Sequence, residues 1–124
     1  MNFFKMIKAM FTSAPCLAPS ECIARIRSGE AVLIDVREAS EWAAGVAQDA
    51  VLLALSDLTG KRAQWGPFLA QHAERELVLY CGAGVRAGMA ARVLVNEGFC
   101  ASNAGSLRAW TEAGWSVVPP APNT

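Results

Sequence analysis

The sequence predicts a three-layer α/β domain, with a central, mainly parallel sheet and helices on both faces. Three observations carry that expectation. Short runs of apolar, β-prone residues alternate with segments of helical periodicity. The runs Ala31–Val36, apolar but for Asp35, and Leu77–Tyr80 are what strands covered on both faces show. Asp35, Arg37 and Cys81 lie at the ends of those runs. Open α/β sheets bind their ligands beyond the carboxyl ends of the strands.

The elements follow in order. Pro19 suits a first helical position, and Glu21, Ile23, Ala24 and Ile26 continue a short helix that Gly29 ends. Ala31–Val36 is a strand. Ser40–Ala43 reads as a short helix closed by Gly45, and Ala50–Leu53 as a second short strand. Ser56 is a capping residue, and Lys61–His72 reads as a helix interrupted by Gly66-Pro67. Leu77–Tyr80 is the strand that feeds Cys81. Val85–Glu97 is the strongest helix, with Met89, Ala90, Val93 and Leu94 on its apolar face and Gly98 as its stop. Phe99–Asn103 is a third strand candidate. Ser106 caps a last helix over Leu107–Ala113, which Gly114 ends.

A chain of 124 residues with 53% hydrophobic content suits one domain that buries its core without staples. The expected organisation is an amphipathic segment over 1–14, a domain over 15–118 and a Pro-rich tail over 119–124. Formal net charge is zero and the basic residues are scattered. That excludes the basic stripe of a nucleic-acid surface. Phe3, Phe4, Ile7, Met10 and Phe11 share one helical face, with Lys5 and Lys8 opposite. This segment is read as packing on the domain, or on a symmetry mate in an oligomer, rather than on a membrane. The two lysines break the apolar run that a signal peptide requires, and no run approaches the ~20 apolar residues of a membrane span. The four cysteines, Cys16, Cys22, Cys81 and Cys100, form no Cys-x-x-Cys, and His72 is the single histidine. A structural zinc site or other metal is therefore not expected, and the spacing fits a reducing, cytoplasmic setting.

Cys81 is the most informative residue. It follows Leu77-Val78-Leu79-Tyr80 and precedes Gly82-Ala83-Gly84-Val85-Arg86, after which a helix begins. Loop N–H groups and the helix N-terminus would then face the sulfur and stabilise an anion there. That anion is a thiolate or something built covalently on it. The plainer reading is a core cysteine ending a strand. Gly82, Gly84 and Arg86 are poor choices for a mere strand end.

Three segments together resemble the rhodanese family, specifically its single-domain thiosulfate sulfurtransferases of the short phage-shock type. They are Leu33-Ile34-Asp35-Val36-Arg37-Glu38 with Glu41-Trp42 and Gly45, Tyr80-Cys81-Gly82-Ala83-Gly84-Val85-Arg86-Ala87, and Asn103-Ala104-Gly105-Ser106-Leu107 with Trp110 and Gly114. Their order and spacing agree with the family over about residues 18 to 118. The resemblance implies a rhodanese-like fold with Cys81 as nucleophile and no cofactor. It implies a loop in which the N–H groups of Gly82, Ala83, Gly84, Val85 and Arg86 hold a terminal sulfur. Four residues separate Cys81 from Arg86. The family's sulfur-transferring members share this short loop, whereas related phosphatases have one residue more. Many members carry arginine directly after the cysteine; here it is Gly82, which leaves Arg86 as the loop's only cation.

The implied activity moves a sulfane sulfur from thiosulfate or a persulfide donor, through a Cys81 persulfide, to cyanide, a thiol or a thioredoxin-like protein. The alternatives are a persulfide carrier and a noncatalytic interaction or regulatory module. Asp35, Arg37 and Glu41 are supporting residues. Arg37 is expected to pair with Glu41 or Asp35 and order the strand-to-helix turn. Cys100 is read as core, Cys16 and Cys22 as incidental, His72 as surface, and Trp42, Trp65, Trp110 and Trp115 as packing anchors.

Overall fold

The structure is a computed structural model that describes residues 13–121. The amphipathic face expected within 1–14, and residues 122–124 of the tail, lie outside the described residues. In chain order the elements are α1 (Pro19–Ser28), β1 (Ala31–Asp35), α2 (Ala39–Trp42), β2 (Val46–Ala47), β3 (Val51–Leu52), α3 (Leu55–Leu58), α4 (Trp65–His72), β4 (Glu76–Cys81), α5 (Val85–Asn96), β5 (Ala101–Ser106), α6 (Leu107–Glu112) and β6 (Val117–Val118). The central sheet runs β3-β1-β4-β5 with every pair parallel. β2 and β6 form a small antiparallel pair beside it.

Successive strand side chains point to opposite faces, so a strand buried on both sides needs apolar residues throughout. All five residues of β1 are buried. Val32 and Ile34 of β1 join Leu77, Leu79 and Cys81 of β4 in one core, under Leu58, Trp65, Leu69 and the Ala87, Ala90, Val93 and Leu94 face of α5. Ala31, Leu33, Val78 and Tyr80 point the other way, into a second core with Cys22 of α1, Trp110 of α6 and Trp115. The two cores and the sheet between them make the three layers. Each fully buried Leu, Ile or Val contributes about 1.5–3 kcal/mol.

The topology fixes where a site belongs. The chain leaves β1 toward β3 on one side and leaves β4 toward β5 on the other. The carboxyl ends of the adjacent strands β1 and β4 therefore flank a topological switch point, the usual ligand position in such sheets. Asp35 ends β1 and Cys81 ends β4.

Several elements depart from the sequence expectation for identifiable reasons. The helix expected from Lys61 starts only at Trp65. Arg62 adopts a positive φ of 56°, and the Asp57 carboxylate accepts the N–H groups of Ala63, Gln64 and Trp65, which caps α4 there. Gly66-Pro67 then fall in the first turn, where proline is tolerated, and do not interrupt the helix. Ser56 lies inside α3, and its hydroxyl donates to Glu38 instead of capping. The third strand is shifted to Ala101–Ser106, because Phe99 N–H closes on Leu94 O in the turn around Gly98 (φ 97°) that ends α5. Cys100, expected in the core, is consequently exposed. His72, expected at the surface, is half-buried with its ring 4.6 Å from that of Phe68. Trp65, Trp110 and Trp115 are buried anchors whose indole N–H groups donate to the carbonyls of Ala54, Ala104 and Gln48.

Candidate active site

The site begins with a strand that ends on a sulfur. Cys81 is 1% exposed. The Gly84 N–H donates to its Sγ at 3.0 Å and the Ala87 N–H at 3.3 Å. Gly84 is the N-cap of α5 and Ala87 its third residue. Those are two of the amides that a helix leaves without intrahelical partners. Cys81 Sγ therefore occupies the place of an N-capping acceptor, at the positive end of a helix of 12 residues.

Gly84 makes the turn possible with φ of 94°, the left-handed region. An added Cβ would find no atom closer than 3.7 Å, so the demand there is conformational rather than steric. Gly84→Ala is expected to cost about 1–2 kcal/mol of stability and to slow alkylation of Cys81. Urea melts and iodoacetamide rates check both effects. Asn103 of β5 holds Gly84 from the far side, its Nδ2 donating to Gly84 O at 3.0 Å while its Oδ1 accepts the Gly105 N–H at 2.9 Å.

Arg86 is committed to Glu41. Its two terminal nitrogens form a fork with the carboxylate, Nη2 donating to Oε2 at 2.9 Å and Nη1 to Oε1. This ties the first turn of α5 to α2. Glu41 Oε1 also accepts the Glu38 N–H at 3.1 Å. The Arg86 hydrogen bonds, then the Glu38 N–H, hold the Glu41 carboxyl down from the ordinary 4.5 to about 2, and the same pairing pushes Arg86 up. A lowered folded value means the pair's contribution is present above about pH 4.5 and is lost as pH falls toward about 2. The stability gap between the native chain and Glu41→Gln is therefore expected to close over that acid range, measured by urea melts. Gly82 lies against this pair: a Cβ there would sit 3.1 Å from Arg86 Nη2. Gly82 and Ala83 are exposed, and Val85 is 77% exposed.

Asp35 and Arg37 form a separate, buried network. Asp35 is fully buried and Arg37 is 7% exposed. Asp35 accepts the Arg37 N–H at 2.9 Å and Arg37 Nη2 at 2.9 Å, and Tyr80 Oη donates to it at 2.6 Å. Arg37 Nη2 also donates to Gly45 O at 2.7 Å, and the Ala47 N–H donates to Tyr80 Oη at 2.9 Å. Burial opposes the Arg37 charge, yet the Asp35 hydrogen bonds and charge raise it overall. Burial first, and then the Asp35 carboxylate, push the Tyr80 phenol up. Tyr80 packs in the core across the sheet from Cys81. Of the two partners the sequence allows Arg37, the structure uses the Asp35 side chain; Arg37 reaches only the Glu41 carbonyl, at 3.5 Å. The network joins β1, β4 and β2 and positions the α2 segment that carries Glu41.

With this geometry in place, comparison with known proteins is direct. Residues 18–113 match the rhodanese-like domain family. The chain belongs to that family. Human single-domain sulfurtransferase TSTD1 is 31% identical to this rhodanese-like protein, with a TM-score of 0.66 over 80% of this chain and 96% of that one. A rhodanese-related protein from Thermoplasma volcanium shares the fold at 21% identity, with a TM-score of 0.70 over 86% of this chain and 99% of that one. A Rhodopseudomonas palustris protein of unknown function, described as a possible tyrosine phosphatase, shares it at 23% identity and a TM-score of 0.70, over 92% and 91%. No match is found among curated protein sequences.

The structure thus brings Cys81, the 82–86 loop and Glu41 together and leaves Asp35 and Arg37 in the scaffold of this rhodanese-like domain. Ala87 and Asn103 act on the loop although the sequence reading gave neither a role there. Cys16 is exposed, while Cys22 is buried in α1, where burial pushes its thiol up. A cleft of about 640 Å³ lies elsewhere, between β2, β3, α4 and the tail. A backbone nest that holds one sulfur atom, such as the one around Cys81 Sγ, needs no large cavity. No helix among the described residues is long and apolar enough to cross a membrane.

Proposed function

We propose that this rhodanese-like protein is a sulfurtransferase that carries sulfane sulfur on Cys81. The observation that carries the reading is the pair of amides, from Gly84 and Ala87, aimed at Sγ at the end of β4. In the first step the Cys81 thiolate attacks the outer sulfur of thiosulfate or of a persulfide. A new Sγ–S bond forms as the donor S–S bond breaks, and the bonding pair leaves on sulfite or on the donor thiolate. In the second step cyanide, a thiol or a thioredoxin-like protein attacks the outer sulfur, and the pair returns to Cys81 as thiolate. The loop amides of Gly82 to Arg86, facing the added sulfur, would stabilise its negative charge.

The 31% identity to a human single-domain sulfurtransferase supports this assignment. Two features weigh against phosphate-ester chemistry. Four residues between Cys81 and Arg86 enclose a small loop, and the Arg86 fork is occupied by Glu41. The covalent scheme is tested by varying donor and cyanide together. Parallel double-reciprocal lines are expected, and converging lines would sink the persulfide intermediate.

A further inference from the structure

We propose that a hollow at the amino ends of β1 and β3, at the opposite end of the sheet from Cys81, binds a small zwitterion: an α-amino acid with an apolar side chain. The hollow has a volume of about 390 Å³, in the range of small-ligand sites. Its polar wall is made by Arg27, Arg75, Asp49 and Trp115, and Val32 and Val51 give it an apolar floor. A second hollow, of about 190 Å³, shares Arg27, Asp49 and Trp115 with it. Ala31 and Val51 begin their strands and Cys81 ends β4, so roughly 15 Å of strand separates this site from the sulfur. The inference stands apart from the sulfur-transfer reading.

Three charged side chains line the hollow, and none has an ion-pair partner among the described residues. Arg27 is exposed and lies over Trp115, its guanidinium carbon 5.4 Å from the ring centroid. Arg75 donates from Nε and Nη2 to Gly29 O, and its Nη1 is 3.2 Å from His72 Nδ1. A carbonyl and a ring nitrogen leave its charge uncompensated. Glu30 and Glu74, the chain neighbours of Ala31 and Arg75, form no ion pair with either arginine. Asp49 is exposed too, in a turn that the Ala50 N–H closes on Ala47 O at 3.1 Å. Its φ is 67°, the left-handed region where a turn usually takes glycine. The chain thus keeps a carboxylate there at a conformational cost. The turn is fixed to the wall, because Trp115 Nε1 donates to Gln48 O at 2.8 Å and the Gln48 N–H donates to Ser116 O at 2.8 Å. A ligand with only a negative group would meet Asp49 unanswered, and one with only a positive group would meet two arginines. A zwitterion answers both. Its carboxylate accepts from the arginines, its ammonium donates to Asp49, and its side chain lies against Val32 and Val51.

The test titrates the full chain with L-phenylalanine and follows the amide and indole N–H signals by NMR. Saturable shifts are expected at the Trp115 indole and the Asp49 amide, with a Kd of about 1 mM or tighter, and none at Gly84 or Ala87. Two probes each lack one charge: N-acetyl-L-phenylalanine has no ammonium and L-phenylalaninamide has no carboxylate. Each should bind at least about tenfold more weakly than the amino acid, the order of one charge-assisted hydrogen bond. Asp49→Asn keeps a residue that tolerates the left-handed turn, and it should weaken L-phenylalanine about tenfold while leaving the N-acetyl probe within about twofold. Arg27→Gln should weaken both of those and leave the amide probe unchanged. The native-chain comparison stands even if a variant fails to fold. No saturable shift at Trp115 and Asp49 overturns the site. An N-acetyl or amide probe that binds as well as L-phenylalanine overturns the zwitterion, as does a folded Asp49→Asn with unchanged affinity. All of these outcomes leave sulfur transfer at Cys81 untouched.

Discussion

Cys81→Ser is expected to remove sulfur transfer, with a fall of at least about a thousandfold in thiocyanate formation, while the domain stays folded. Serine is nearly isosteric at a position that is 1% exposed, and its Oγ can accept the same Gly84 and Ala87 N–H groups. Stability should therefore change by no more than about 1 kcal/mol. What is lost is the chemistry. A hydroxyl is a far poorer nucleophile than a thiolate, and an oxygen built into this loop cannot shuttle a sulfane sulfur. Thiocyanate production with cyanide as acceptor, alongside a thermal melt, separates the two effects. A variant that keeps turnover would show that Cys81 is not the carrier.

Asp35→Ala is expected to act in the opposite way, costing about 3–5 kcal/mol of stability. Asp35 is fully buried and accepts hydrogen bonds from Arg37 and Tyr80. Its removal leaves the Arg37 guanidinium buried with only backbone carbonyls, and the Tyr80 hydroxyl without its acceptor. Domains of this size are stable by about 5–15 kcal/mol, so a loss of that order takes away a large part of the margin. Urea denaturation reads it directly. A cost below about 1 kcal/mol would mean that the network is not what holds β1, β4 and the α2 segment together.

The parts of this fold that were legible share a physical cause. β1 and β4 are covered on both faces, so burial wrote continuous apolar runs into Ala31–Ile34 and Leu77–Tyr80. α5 was legible because Ala90, Val93 and Leu94 fall on one helical face and Gly98 stops it. β5 was not. Its residues, Ala101-Ser102-Asn103-Ala104-Gly105-Ser106, carry little β-propensity, and the strand exists because β4 offers it a partner edge. β2 and β6 span two residues each, too short for any periodicity to show.

The site divides along the same lines. Cys81 and its glycines were readable because a strand, a thiol and a turn are adjacent in the chain. The Arg86–Glu41 pair joins residues 45 apart, and the sequence offered Glu41 to Arg37 just as readily. Ala87 was named in the loop motif without a role of its own, because its amide matters only once Sγ is seen as the cap of α5. A helix starting at Val85 does carry that signal, since the amide of its third residue always needs an acceptor. The contact of Asn103 with the loop could not be read, because its partner, the Gly84 carbonyl, is brought near only by the pairing of β4 with β5.

The central claim is that Cys81 carries sulfane sulfur, and intact mass tests it most directly. The purified chain is mixed with a persulfide donor and with thiosulfate in separate runs, weighed, treated with cyanide and weighed again. The account predicts a gain of one sulfur, about 32 Da, that maps to Cys81 and disappears with cyanide. A folded protein with a free Cys81 that gains no sulfur from either donor would contradict it.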